Sequence, residues 1–320
     1  MKNLISKNDK IFVAGHKGMV GKAICSSLFK HGYKSILFAP REELDLTKYS
    51  EVQNWFKKNN PDVVVLAAAK VGGILANRDY PYEFLSENLK IQTNIIENSF
   101  DNNIKRLLFL GSSCIYPKYA HQPIREESLL TGELELTNEW YAIAKITGVK
   151  LCAALKKQYN FDAFSLMPTN LYGPGDNYKN NESHVLPALI RKFSEASDCN
   201  SNLVECWGTG KAMREFLHVN DLAEACVFCL EKFNPERNAI NFLNIGSGEE
   251  VSIKDLASLI SKEVGFKGQI FWDQSKPDGT PRKRLDLGRL NKLGWEAKIK
   301  LKDGLRDSIY DFKLNKNLRR

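Results

Sequence analysis

Lys10-Ile11-Phe12-Val13-Ala14 runs directly into Gly15-His16-Lys17-Gly18-Met19-Val20-Gly21. The first five residues are an apolar run of strand length, and Met19 to Lys30 carries a helical pattern. A glycine-rich turn between a buried strand and a helix lets backbone N–H groups approach a pyrophosphate at the helix N-terminus. Three glycines spaced GxxGxxG also suit a plain strand-to-helix turn, so the context decides. A second strand, Ser35 to Phe38, follows and ends Phe38-Ala39-Pro40-Arg41. An acidic residue at that place binds the ribose 2′-OH of NAD, whereas Arg41 suits a 2′-phosphate and Lys17 adds a second cation. The pattern predicts NADP(H), with Glu42 and Glu43 leaving NAD open.

Outward from this turn the same rhythm continues. Helical pattern from Val52 to Lys58 precedes strand Val63 to Leu66, and a long helix from Tyr82 to Asn102 precedes strand Arg106 to Leu110. Glu139 to Tyr159 reads as helix and Ala163 to Met167 as strand. Alternation of this kind implies an α/β fold, a doubly wound parallel Rossmann sheet. The rhythm loosens at Leu171-Tyr172-Gly173-Pro174-Gly175-Asp176-Asn177, a turn-rich lobe boundary. Beyond it, His184 to Ala196 and Asn220 to Lys232 read as helices, the second preceded by a short strand, Phe216 to Val219. Ser252 to Val264 is a further helix with Ser252 as N-cap, and Lys276 to Lys283 a polar loop broken by Pro277, Gly279 and Pro281.

The chain has 320 residues, 43% hydrophobic and 26% charged, within the range of a single large domain with a second lobe. No stretch approaches the ~20 apolar residues of a membrane helix, and Met1 to Ser6 lacks a signal-peptide core. No membrane is expected. Seven scattered cysteines, an odd number, favour a reducing cytoplasm. The net charge of +8 suits phosphorylated small molecules. Nucleic acid is not expected, because no aromatic stripe interleaves the basic residues. Cys226 and Cys229 form CxxC without a second pair or a His cluster, so they read as packing residues and no metal is expected.

The chemistry is concentrated at three places. Leu110-Gly111-Ser112-Ser113-Cys114 places serines at a strand end, and Tyr141-Ala142-Ile143-Ala144-Lys145 puts a phenol and an ammonium on one helical face. Together these groups are suited to moving a proton to or from a carbonyl oxygen while a cofactor moves a hydride. Tyr141 is the expected proton donor. A free phenol titrates near ~10, and the Lys145 cation is expected to lower that value. Ser112 is the better placed serine for the carbonyl oxygen, with Ser113 in reserve.

GxxGxxG, a strand-end serine and YxxxK together resemble the extended short-chain dehydrogenase/reductase family. Further blocks narrow the resemblance: Ala67 to Ile74 (AAAKVGGI), Leu110 to Pro117 (LGSSCIYP), Pro168 to Pro174 (PTNLYGP), Met213 to Val219 (MREFLHV) and Lys276 to Lys283 (KPDGTPRK). They are similar to the branch that epimerises GDP-4-keto-6-deoxy-mannose at C3 and C5 and reduces it at C4 with NADPH. The resemblance covers nearly the whole chain. It implies that residues 1–172 form the NADP-binding Rossmann domain, with 215–245 returning to it, and that 173–214 and 246–320 form a smaller C-terminal α/β lobe for a nucleotide sugar. It implies that Cys114 and His184 join Ser112, Tyr141 and Lys145 as catalytic groups. Toward the cofactor it implies the loop residues Gly15, His16, Lys17, Gly18, Met19, Val20 and Gly21, together with Arg41. It adds Leu110, Gly111, Ser113, Lys145, Pro168, Thr169, Asn170, Leu171 and His184. For the GDP-4-keto-6-deoxy sugar it implies Lys192, Trp207, Arg214, Asp278 and Lys283. Lys192 and Lys17 stand where Arg is frequent, exchanging a bidentate contact for a point charge. His218 and Asp221 read as structural, and a homodimer through the helices at 82–102 and 139–159 is implied by analogy.

C3 and C5 both flank the C4 ketone, so one site that stabilises charge on O4 serves epimerisation and reduction alike. A thiol and an imidazole, with ordinary values near ~8.5 and ~6.5, are suitable proton carriers. Three alternatives stay open on sequence. One is a reductase that leaves epimerisation of a 4-keto-6-deoxy-heptose or dideoxyhexose to another protein. Another is an NAD-dependent 4-epimerase. The last is a non-catalytic dinucleotide sensor, disfavoured by the intact Ser112, Tyr141 and Lys145.

Overall fold

A computed structural model describes residues 3–180, 182–236, 239–276 and 278–315. Met1, Lys2, Pro277 and the basic tail from residue 316 onward lie outside the described residues. The first half alternates as its apolar runs dictate: β1 (Ile11–Ala14), α1 (Met19–Lys30), β2 (Ile36–Leu37), α2 (Tyr49–Asn59), β3 (Val63–Leu66), α3 (Ile74–Asp79), α4 (Pro81–Asp101), β4 (Arg106–Leu110), α5 (Glu139–Tyr159) and β5 (Ala163–Pro168). The second half holds β6 (Asn170–Tyr172), α6 (Val185–Asp198), β7 (Leu203–Trp207), β8 (Met213–His218), α7 (Val219–Lys232), β9 (Phe242–Ile245), β10 (Glu250–Ser252), α8 (Ile253–Val264), β11 (Gln269–Asp273), β12 (Arg282–Lys283), α9 (Gly288–Leu293) and α10 (Leu301–Leu314).

Six strands form one parallel sheet in the order β2-β1-β3-β4-β5-β9. Both of its faces are buried. Ile11 and Val13 point into a core shared with Ile24 and Leu28 of α1 and Leu222 and Cys226 of α7. Phe12 and Ala14 point the other way, onto Phe56 of α2, Ile95 of α4 and Val149 of α5. This is why the strands read as continuous apolar runs rather than alternating ones. The chain leaves β1 toward β2 on one side and returns to β3 on the other. That reversal opens a crevice beyond the carboxyl ends of β1 and β3, where ligands of doubly wound sheets bind.

The smaller lobe is built on β6, β8, β10 and β12, a β7–β11 pair, and helices α6, α8 and α10 around Phe193, Phe216, Leu256 and Phe312. Ser252 caps α8 as expected, its hydroxyl accepting from the Asp255 N–H at 3.0 Å. Val219–Lys232 and Phe242–Ile245 pack with the parallel sheet, and Leu290 and Trp295 join the same core.

Several expectations are corrected. The short strand expected at Phe216 to Val219 is the longer β8, Met213–His218, and Val219 already begins α7. The expected loop from Lys276 to Lys283 contains β12, whose Arg282 and Lys283 pair with Met213 and Arg214. Tyr172, read as turn, lies in β6 beside His218. The sixth strand of the central sheet, β9, follows a break in the apolar rhythm and carries Asn244 inside its apolar run.

Candidate active site

The glycine turn is shaped by contact. Gly15 has φ +93°, and a Cβ there would lie 2.7 Å from the Ala68 nitrogen. A Cβ on Gly21 would lie 2.1 Å from the Gly15 oxygen, so the helix closes against the turn. Gly18 is different, with only the Gly15 oxygen nearby at 3.5 Å, which leaves the loop surface open for a phosphate. Helix α1 has no acidic residue in its first turn, whose N–H groups lack intrahelical acceptors. These residues fit a dinucleotide pyrophosphate. His16 stacks on Phe38 at 5.1 Å, which brings the glycine loop beside the end of β2. There Lys17 pairs with Glu42 at 3.1 Å, while Arg41 is exposed. Two cations therefore stand together at the end of β2, a charge that fits a ribose 2′-phosphate, and Glu42 holds one of them.

The candidate reaction centre forms just beyond the carboxyl end of β4. Ser112 stands two residues past the strand and its hydroxyl accepts the Cys114 N–H at 3.2 Å, starting a single helical turn. Helix α5 crosses this end with Tyr141 and Lys145 on the facing side. Lys145 donates to the Leu110 carbonyl at 2.8 Å and stands 5.7 Å from the Tyr141 ring centroid. The Ser112 hydroxyl acts on the phenol through a hydrogen bond, and Cys114 lies close enough to act electrostatically on both Tyr141 and Lys145. Phe84 meets the Tyr141 ring edge-on at 6.4 Å. Ser113 is buried behind this cluster.

The electrostatics correct one expectation. Burial pushes the Tyr141 phenol up, and the Ser112 hydrogen bond only partly opposes it. Lys145 does not contribute to lowering it; burial instead holds the ammonium down at about 7. A lysine in an apolar pocket sheds part of its charge near neutral pH, and with it the power to stabilise a phenolate.

His184 is the N-cap residue of α6. The residue is exposed, yet the surrounding protein desolvates the ring and lowers its pKa. Its turn docks on the loop after β3: Gly73 N–H donates to the Glu182 carbonyl at 2.8 Å. A Cβ on Gly73 would meet the Ser183 oxygen at 2.5 Å. Of the other residues implied for the cofactor, Leu110 ends β4, and Gly111 follows it and packs on Met167. Pro168 and Thr169 run along Ile245, while the Thr169 hydroxyl and Asn170 amide both donate to the Glu215 carbonyl. Leu171, Met19 and Val20 pack at the edge of the sheet core.

In the lobe, Lys283 neighbours Arg214 across the β12–β8 ladder. Burial lowers the Arg214 pKa, while Asp278 and Glu135 oppose the shift. Lys192 stands 5.5 Å over the Trp207 ring and donates to the Glu205 carbonyl at 3.0 Å. Asp278 is engaged with the protein, accepting the Thr209 N–H and hydroxyl at 2.7 Å each. Cys226 and Cys229 are free and buried in α7. His218 accepts the Asn220 N–H, and Asp221 accepts from Lys298 and Ile299. Among the described residues no group of three His, Cys, Asp or Glu side chains is placed to hold a metal.

Two residues escaped sequence reading, and a third, Gly73, stands there only as part of the Ala67 to Ile74 block, without a role. Asn138 donates its amide to Cys114 Sγ at 3.3 Å. Glu135 accepts from Thr280 at 3.2 Å and pairs with Lys118 at 3.0 Å, tying the lobe to the approach to α5. Gly73 seats the His184 turn. All three act through contacts distant in sequence, which no local spacing announces.

A glycine-lined crevice with two cations, beside a hydroxyl, a phenol and an ammonium at one strand end, defines an NADP-dependent oxidoreductase. The chain belongs to the NAD dependent epimerase/dehydratase family, whose model matches residues 11–246. It is 53% identical over 312 residues to GDP-L-fucose synthase 1 of Arabidopsis thaliana, covering 98% of this chain and 95% of that protein. It is 48% identical over 313 residues to GDP-L-fucose synthase of Escherichia coli (strain K12), covering 96% and 98%. A solved structure of a GDP-mannoheptose C4 reductase from Campylobacter jejuni, with NADP bound, superposes with a TM-score of 0.88 at 36% identity, covering 97% of this chain and 99% of that one.

Proposed function

We propose that this chain inverts C3 and C5 of GDP-4-keto-6-deoxy-mannose and reduces C4 with NADPH, giving GDP-L-fucose. The observation that carries the reading is the gathering of Ser112, Cys114, Tyr141 and Lys145 into one network at the end of β4. Ser112 and Tyr141 hydrogen-bond O4 and stabilise charge that develops there. Cys114 and His184 exchange protons at the two flanking carbons. NADPH, when held by the glycine turn, would supply the hydride for C4, and Tyr141 delivers the proton to O4. Arg214 and Lys283 face the nucleotide diphosphate, with Lys192 and Trp207 beside the nucleoside.

We assign 1–172 and 215–245 to the cofactor domain, and 173–214 and 246–320 to the sugar lobe. Support comes from the separate apolar core around Phe193 and Phe312, although Leu290 and Trp295 return to the central sheet and β6 and most of β8, assigned here to the cofactor domain, pair in the lobe sheet. A homodimer through α4 and α5 is supported by the side-by-side packing of these two long helices, which leaves Tyr82, Trp140 and Tyr159 exposed. Seven free cysteines support a cytoplasmic setting.

The likeness to a C4 reductase supports one second reading, reduction without epimerisation. Incubating the protein with GDP-4-keto-6-deoxy-mannose in D₂O without NADPH separates the two. Deuterium at C3 and C5, followed by GDP-L-fucose on adding NADPH, is the expected outcome. Reduction without exchange selects the second reading.

A further inference from the structure

We propose that Asn138 is a positioning residue that aims the Cys114 sulfur and stabilises negative charge on it as its proton leaves. The proposal rests on the reading of Cys114 as a proton carrier. Asn138 is the N-cap residue of α5. An Asn in that place ordinarily turns its side-chain oxygen back to accept a first-turn N–H. This one makes no such cap. Its amide instead donates to Cys114 Sγ at 3.3 Å. Its Oδ1 is left buried without a partner. Helix capping and hydrogen-bond satisfaction are thus both given up for a single bond to sulfur, a local conflict of the kind found at functional sites.

The geometry favours this role. An N–H aimed at sulfur strengthens as the sulfur gains charge. The sulfur also meets the amino-terminal end of α5, where the helix dipole is favourable to an anion. The Asn138 backbone is fixed in turn by its own N–H to the Glu135 carbonyl at 3.1 Å. Cys114 is held from the other side by its N–H to Ser112.

The test compares the parent with Asn138→Asp and Asn138→Ala. Asp keeps the shape, lacks the N–H and caps helices well, so that variant folds even if the Ala variant does not. Iodoacetamide labelling at neutral pH is read by peptide mass spectrometry at Cys114, with the exposed Cys199 in the same digest as reference. Expected is a loss of Cys114 labelling by roughly tenfold in both variants, greatest for Asp, with Cys199 unchanged. Deuterium exchange at C3 and C5 falls by roughly the same factor, while the melting temperature of the Asp variant holds or rises. Labelling and exchange within twofold of the parent in both variants overturns the proposal. Absence of exchange in the parent itself defeats the epimerase reading instead, and the labelling arm still decides the role of Asn138.

Discussion

Gly73 and Ser183 stand so close that a methyl group on the first would lie 2.5 Å from the carbonyl oxygen of the second. One residue further on, His184 is the N-cap of α6, so a contact made by backbone alone seats the turn that carries the imidazole. Gly73→Ala pushes this turn away. The expected result is a fall of about 10²-fold in kcat for product formation, since small misplacements of reacting groups cost that much. NADPH affinity, read by fluorescence titration, stays near the parent value. An unaltered kcat would mean that this contact does not seat His184.

Tyr141→Phe removes the hydroxyl that Ser112 touches and keeps the ring against Phe84. Turnover is expected to drop by 10²- to 10⁴-fold, the span of a lost proton donor. Cofactor binding persists. Steady-state NADPH oxidation and a separate binding titration measure the two effects, and retained turnover removes Tyr141 from the chemistry.

Lys145 carries a pH prediction. Its folded value of about 7 lies below that of an exposed lysine, so the unfolded chain binds more protons between the two. Stability therefore rises with pH across that window, and below it the buried ammonium is a full burden of a few kcal/mol. Lys145→Met lacks this term. The variant is expected to melt above the parent near pH 6, with the gap narrowing toward pH 9; a gap independent of pH contradicts the assignment.

Lys17 and Glu42 form an exposed pair at 3.1 Å beside the exposed Arg41. Exposed pairs are worth little in stability, so releasing Lys17 by Glu42→Gln leaves the melting temperature unchanged. KM for NADPH is expected to fall about twofold as the freed cation meets the 2′-phosphate. Lys17→Ala with Arg41→Ala raises KM for NADPH by roughly 10- to 100-fold and leaves NADH use unaffected. Equal effects on both cofactors would place the cations elsewhere.

Arg106 is fully buried on β4, donating to Asp162, to the Phe233 carbonyl and to the Cys229 carbonyl at 3.2 Å, with its guanidinium over Phe164. It joins the end of α7 to the approach to β5. Arg106→Met strands a carboxylate and two carbonyls, and is expected to destabilise by about 3–5 kcal/mol. Urea denaturation with an unchanged slope reads this; a loss under ~1 kcal/mol argues that water replaces the guanidinium.

What could be read early and what could not divides by range. Val63 to Leu66 and Arg106 to Leu110 announce themselves because buried parallel strands are continuously apolar. The glycine turn is legible because its geometry needs glycine at Gly15 and Gly21. Tyr141 and Lys145 are legible because one helical turn places them together. Strand β9 has its apolar run broken by Asn244, β12 has only two residues, and Asn138 looks like a common helix cap.

The amino-acid sequence by itself determined the parallel α/β sheet, the glycine turn and the candidate trio of Ser112, Tyr141 and Lys145, since each rests on spacings within one or two elements. Tertiary structure alone decided how those groups are charged and aimed. Burial, a property of everything packed around a site, raises Tyr141 and holds Lys145 down at about 7, while contacts between distant segments turn Asn138 onto sulfur and seat the His184 turn on Gly73.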